Sequence, residues 1–314
     1  MSVNWPNEKE LLSWIENDLR NWYKWGNSDQ KGTLNFIDSK KTLSSIKLVQ
    51  EGFTVSCSGE VDFNNSIGTP KTPQHFMISA GDNYRENENN GRQVAMDYFG
   101  MVFHGHSVTH IDSLSHFFWN GRTFNGRPSN VVTTSDGATE FDVMPSTKGI
   151  VSKGVLIDVP YIRNVEYLER GDGVTLEDIK IAIDKFDLDI SEGDILLLRT
   201  GQMGQIKKYG SVDVWDKGSS GPSPEILPFI YEKKIASVGS DTGNDILPNP
   251  YDKFTNPFHQ VGIVAMGLWI LDNLCLDELA EECIKRQRWE FCITVNPLKL
   301  PSVTGSPVNP IVIF

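Results

Sequence analysis

The sequence predicts an α/β fold with a mixed, partly parallel sheet in a single domain. Three observations carry that expectation. Short apolar, β-rich runs alternate with helical patterns through the C-terminal half, as strands joined by crossover helices do. The chain has 314 residues, 39% of them hydrophobic and 22% charged, ample for one large core. No internal repeat and no long linker divides it, so residues 1–314 read as one domain, with 1–52 as a helical N-terminal extension.

Leu11, Leu12, Ile15, Leu19 and Trp22 recur at three- and four-residue steps and predict a first amphipathic helix. "DSKKTLSSIKLVQEG" predicts a second, capped by Asp38 and stopped by Gly52. "TLEDIKIAIDKF" opens with a capping-box pattern, Thr175 and Asp178. "SPEILPFIYEKK" places Ser223 as N-cap and Pro224 at the first helical position, and "CLDELAEECIK" is the last helix. The runs "FTVSCSGEV", "GVLIDV", "GDILLLRT", "KIASVGS", "GIVAMGLWIL" and "WEFCITV" predict strands. Residues 63–100, polar and rich in Asn and Gly, read as a long loop of the kind that covers functional sites.

Charge and composition exclude several classes. A formal charge of -12, with no Lys/Arg cluster, argues against nucleic acid as partner. The N-terminus lacks the basic-then-apolar pattern of a signal peptide, and the longest apolar run, 261–271, is too short to span a membrane. Four cysteines without CxxC spacing suit free thiols in a reducing compartment, so the expected location is cytoplasmic.

The chemistry concentrates in "FHGHSVTHIDSLSHFF", 103–118, where four of six histidines, His104, His106, His110 and His116, stand with Asp112. Imidazole and carboxylate are the usual ligands of zinc-like ions. Gly105, Val108, Thr109 and Ile111 disfavour a helix, and the even numbering would aim all these side chains to one face of a strand. A strand advances about 3.3 Å per residue, so His110 and Asp112 can share an ion, whereas His106 would lie about 13 Å from His110. His106 can join only if the chain bends near Ser107 and Val108. His116 can approach only if it turns again at Ser113 and Ser115.

Other motifs fall short. "SDTG" at 240–243 occurs once, where aspartic proteases need two such loops. "KGSSGP" fails the GxSxG elbow, and neither a Walker loop nor GxGxxG is present.

The histidine segment resembles the HxGTHxDxPxH signature of the metal-dependent cyclase family, which includes kynurenine formamidases and isatin hydrolases. Val108 stands where Gly is usual and Leu114 where Pro is usual. "GDILLLRTG", "IASVGSDTGND" and "HQVGIVAMGLWILDNLCLDELA" are similar to later family elements in the expected order. The resemblance implies a swivelling β/β/α fold, a homodimer or homotetramer, and a small-molecule substrate. His106, His110 and Asp112 would hold a divalent ion, Zn2+ or Mn2+. His259 and Asp272, an acid one methylene shorter than the family Glu, would complete its shell or hold a second ion bridged by Asp112. His116 would be the general base of an arylformamidase-like amidohydrolase, and His104 would orient a ligand from behind. The competing expectations are a metal-stabilised binding protein without chemistry and a hydrolase of related esters or lactones.

Overall fold

Nine strands form one curled mixed sheet in the computed structural model, which describes residues 3–65, 67–83 and 93–314. In chain order they are β1 (Thr54–Ser56), β2 (His110–Asp112), β3 (Ile150–Asp158), β4 (Ile195–Arg199), β5 (Ser237–Ser240), β6 (Trp269–Asp272), β7 (Glu290–Val295), β8 (Gly305–Pro307) and β9 (Ile311–Ile313). Their spatial order is β1-β9-β7-β3-β4-β5-β6-β2-β8. The four central strands β3 to β6 run parallel, and every other neighbouring pair is antiparallel.

The sequence explains this division. Ile195, Leu196, Leu197 and Leu198 are all buried, as a parallel strand covered on both faces requires. The helix Leu176–Phe186, closed by the reciprocal Thr175–Asp178 capping box, lies in the crossover from β3 to β4. Helices Leu227–Glu232 and Asp277–Arg286 follow the later parallel strands. Trp269, Phe258, Phe291 and Phe314 are among the largest fully buried side chains.

Four expectations change. The first helix is α-helical over Glu8–Ser13 and continues as a π-helical turn over Trp14–Asp18. The second ends at Ile46, capped by Asp38 as expected, well short of Gly52. The run "GIVAMGLWIL" is not one strand: Gln260–Met266 is π-helical, Gly267 takes a left-handed conformation (φ 67°), and only Trp269–Asp272 is strand. An unbroken apolar stretch carries no period by which to divide it. Within 63–100, Gln74–Ser79 and Met96–Gly100 pair as an exposed hairpin instead of a loop; residues 66 and 84–92 of that stretch lie outside the described residues.

The parallel strands set the location of the site. Thr200, Asp241 and Asp272 all stand at their carboxyl ends, the edge where open α/β sheets present ligands. Strand β2 inserts between β6 and β8, with Asp272 directly opposite His110 and Ile270 opposite Asp112. That register brings the C-terminal acid against the histidine segment. A slip of one residue would turn His110 and Asp112 to the other face.

Candidate metal centre

His110 and Asp112, two residues apart on β2, project to one face and are fully buried. The His110 Nδ1–H donates to the Val108 carbonyl at 2.7 Å, which fixes the tautomer and leaves the Nε2 lone pair facing the carboxylates. The buried His259 is set the same way: its Nδ1 is 2.6 Å from Asp245 Oδ2, with Nε2 facing inward. A carboxylate behind an imidazole whose other nitrogen faces acids is the arrangement typical of metal-bound histidine. Asp272 receives the Asn244 amide on Oδ1 at 2.6 Å and turns Oδ2 toward both histidines.

The inner atoms are spaced for coordination rather than for hydrogen bonds. His110 Nε2 lies 3.5 Å from Asp112 Oδ1 and 3.4 Å from Asp272 Oδ2. His259 Nε2 lies 3.4 Å from Asp112 Oδ2 and 3.4 Å from Asp272 Oδ2. A charge-assisted hydrogen bond would be about 2.7–2.9 Å. Ligands about 2.1 Å from a tetrahedral ion stand about 3.4 Å apart. Among the described residues, His110 Nε2 and both Asp112 oxygens are buried without a hydrogen-bond partner, as is His104 Nδ1, although it lies 3.0 Å from Asp112 Oδ1. Orphaned buried donors and acceptors are rare in folded proteins, and these converge.

Two triads are close enough to hold an ion: His110, Asp112 and Asp272, and His104, Asp112 and His116. Asp112 belongs to both. His116 is there because the chain does turn: the His116 N–H donates to Ser113 O at 3.1 Å, and the Ser113 and Ser115 hydroxyls share a 3.0 Å contact. Its ring stacks on His104 at 3.7 Å with 5° between planes, and its Nε2 is 3.8 Å from Asp112 Oδ2. His104 Nε2 meets the Thr304 hydroxyl at 3.0 Å.

His106 is in neither triad. The chain bends from 104 through 108, as expected near Ser107 and Val108, and Gly105 (φ 132°) takes a conformation where a side chain would strike the Gly68 carbonyl. The loop is pinned by Asn273, whose amide donates to the Gly105 and Val108 carbonyls at 2.8 and 3.1 Å. His106 is thereby turned against Gly243, where a Cβ would collide with its Nδ1, and toward Trp215 at 5.8 Å. It lines the pocket wall instead of joining His110.

The carboxylates and imidazoles shift one another strongly. Burial opposes charge on Asp112, but His116, His104 and His259 outweigh it and hold the carboxyl well below its ordinary range. Asp272 is likewise lowered against burial, chiefly by His259. Burial also opposes charge on His259, yet Asp272, Asp112 and Asp245 hold its imidazole well above its ordinary value. Protons on histidine thus supply the positive charge that a divalent ion would otherwise bring. Burial pushes His116 down to about 3, against the pull of Asp112, so it is neutral across the physiological range.

The cluster opens into a cavity of about 600 Å³ walled by His106, Phe117, Trp215 and residues 67–70. Phe117 stacks on His259 at 4.8 Å, and Trp215 on the opposite wall is 64% exposed. Asn244, Asp245, Asn273, Phe117 and Trp215 escaped the sequence reading. "ND" at 244–245 follows "SDTG", and a search for polar partners of His259 within that motif would have found Asp245. Asp241 itself is no ligand: it accepts the Thr200 N–H, the Thr200 hydroxyl and the Gly201 N–H, each at 2.8 Å. His75 pairs with Asp97 on the exposed hairpin, at 3.0 Å.

No described helix is long and apolar enough to cross a membrane. Comparison with curated proteins finds no match. A crystal structure described as a novel cyclase is similar over 95% of this chain and 100% of its own, with 28% identity and a TM-score of 0.84. Isatin hydrolase A from Labrenzia aggregata, bound to benzyl benzoate, shares 21% identity with a TM-score of 0.58, over 88% of this chain and 98% of its own. Isatin hydrolase A from Ralstonia solanacearum shares 17%, with a TM-score of 0.56, over 83% and 91%. The family model for cyclases matches residues 36–244, more than half of the chain. This protein belongs to the Cyclase family.

Proposed function

We propose that the protein is a metal-dependent hydrolase that opens an amide-type C–N bond in an aryl formamide or small cyclic amide. The observation that carries this reading is the set of buried, inward-facing atoms without hydrogen bonds on His110, Asp112 and His104. His110, Asp112, Asp272 and His259 would hold a divalent ion, zinc or manganese. Asp112, with His104 and His116, would hold a second ion if one binds. An ion held there supplies positive charge that polarises a carbonyl and makes water nucleophilic near neutral pH.

The chain's own groups do the rest. His116, at the mouth of the cluster, accepts the proton of the attacking water at Nε2. It returns that proton to the leaving nitrogen as the C–O bond replaces the C–N bond, so one water is consumed. Phe117 and Trp215 offer aromatic surfaces for a flat substrate, and a cavity of about 600 Å³ suits a small molecule. The likeness to isatin hydrolases is one of fold, and it puts cyclic amides first among substrates to try.

The test is elemental analysis followed by a screen. Purified protein, or protein reconstituted with zinc or manganese, is expected to carry about one or two divalent ions per chain. Chelator-sensitive turnover of an aryl formamide, isatin or a cyclic imide is expected to follow. Absence of stoichiometric metal after reconstitution overturns the reading. Tight metal binding without turnover of amides, esters or lactones makes the protein a metal-holding binding protein.

A further inference from the structure

We propose that a second cavity, between the N-terminal π-helical turn and the 119–122 hairpin, binds a small aromatic carboxylate. It measures about 410 Å³ and shares no lining residue with the metal-centre cavity. Arg20 and Arg122 both line it.

The case begins with charge. In a chain of formal charge -12, most buried arginines are spoken for: Arg163 by Asp172 and Asp178, Arg199 by Asp158 and Asp277, Arg286 by Glu51 and Glu282. Among the described residues, no carboxylate lies within ion-pair distance of Arg20 or Arg122. Among the described residues, Arg20 spends only its Nε–H, on the Ile15 carbonyl at 2.9 Å, and its terminal nitrogens make no hydrogen bond. Arg20 is attracted by the solvent-exposed rim acid Glu16 and, less strongly, repelled by Arg122 on the same lining. Two arginines against one solvent-exposed acid leave the lining with an excess of positive charge that an anion would complete. A guanidinium pair suits a planar carboxylate, which accepts two parallel N–H bonds.

The walls specify the rest of the ligand. Trp22 lies under Arg20, with 3.9 Å from guanidinium carbon to ring centroid, and Trp119 lines the same space. The Trp119 indole N–H is buried without a partner among the described residues. Trp22 donates its own N–H to the Val264 carbonyl at 2.7 Å, which fixes that wall to the helix following His259. Indole surfaces beside paired cations recognise an anion carrying a flat apolar body. A cavity of this size accommodates one ring and its carboxylate.

Calorimetric titration of benzoate into the metal-loaded protein tests this, with benzyl alcohol as the uncharged control. Benzoate is expected to show a binding component that benzyl alcohol lacks and that weakens with salt. Arg122→Gln should weaken that component about 10-fold or more, and the double variant with Arg20→Gln should abolish it. Any benzoate bound at the metal centre is unchanged by Arg122→Gln, so the two sites separate. The Arg122 side chain is exposed and makes no hydrogen bond among the described residues, so its variant should keep the wild-type melting temperature. Equal isotherms for wild type and both arginine variants overturn the proposal. Benzyl alcohol binding as well as benzoate does so too.

Discussion

Asp112 and Asp241 are both buried carboxylates near the same edge of the sheet, yet the protein treats them in opposite ways. Asp241 accepts three hydrogen bonds of 2.8 Å from the Thr200–Gly201 turn and faces no histidine. Asp112 has no hydrogen bond and is ringed by His104, His110, His116 and His259 at 3.0 to 3.8 Å. Burial alone therefore does not mark a functional acid. An acid whose bonds are filled by backbone is structural, while one whose lone pairs meet only other ligand-type atoms awaits a cation.

The sharpest way to break this contrast is to remove each charge in turn. Asp112→Asn should lose the bound ion and cut kcat by more than the 10–100-fold typical of partners standing behind metal ligands. In chelator, the same variant should melt below the wild type, because it leaves the protonated His259 without one of its buried acids. Asp241→Asn should retain full metal content and lose about 1–2 kcal/mol at neutral pH, through an unpaired Gly201 N–H. Metal content and melting curves of the two variants, side by side, check both halves. Metal loss in Asp241→Asn, or its retention in Asp112→Asn, breaks the comparison.

His116 is next in size. It shares a triad with Asp112 but sits at the cavity mouth, half-buried, where Asp112 is sealed. His116→Asn should keep the metal and the fold while kcat falls about 10²–10⁴-fold with KM little changed. Loss of metal would make His116 a ligand, and an unchanged kcat would remove it from the reaction.

How much of this was legible follows from distance along the chain. His110 and Asp112 could be read as one face from their spacing alone, because a strand's period is local. The turn at Ser113 and Ser115 was legible too, since small polar residues permit it. The position of His106 depends on Gly105, Gly68 and Gly243, and the last lies far away in sequence, so spacing alone does not place it. Strand β2 is three residues long and β8 is GSP, too short to be recognised as strands; the pairing of β2 with β6 and of β8 with β2 places them. Asp245 and Asn244 support the centre through contacts 14 and 28 residues away, which no periodicity encodes. The helix Leu176–Phe186, by contrast, shows its extent and its N-terminal capping box in the sequence.

The supporting residues give a smaller effect than the inner ones. Asp245→Asn removes the acceptor behind His259 and should weaken metal binding about 10–100-fold, and His259→Ala should do at least as much. Asp272→Asn should lose activity where Asp272→Glu keeps some. Competition with a fluorescent chelator measures the affinities. Wild-type affinity in both Asp245→Asn and His259→Ala would show that His259 only fills space.

The smallest expected effect concerns the acid that is not a ligand. Burial pushes Asp241 up to about 6, with the Thr200 and Gly201 donors and Arg199 pulling the other way. An unfolded aspartate titrates near 3.9. Between these values the folded chain binds more protons than the unfolded one, so stability falls as pH rises. The contribution is fully present below about pH 4 and lost by about pH 6, and two units correspond to at most about 3 kcal/mol. Asp241→Asn has no such proton, so the stability gap between wild type and variant should narrow over that window and then stay flat. Taking the difference of the two melting curves cancels the titration of the metal cluster, which both proteins share. A gap that widens from pH 4 to 6 would mean the three hydrogen bonds outweigh burial and hold Asp241 ionised. Its distinction from Asp112 would then rest on neighbours alone, with no difference in the cost of charge.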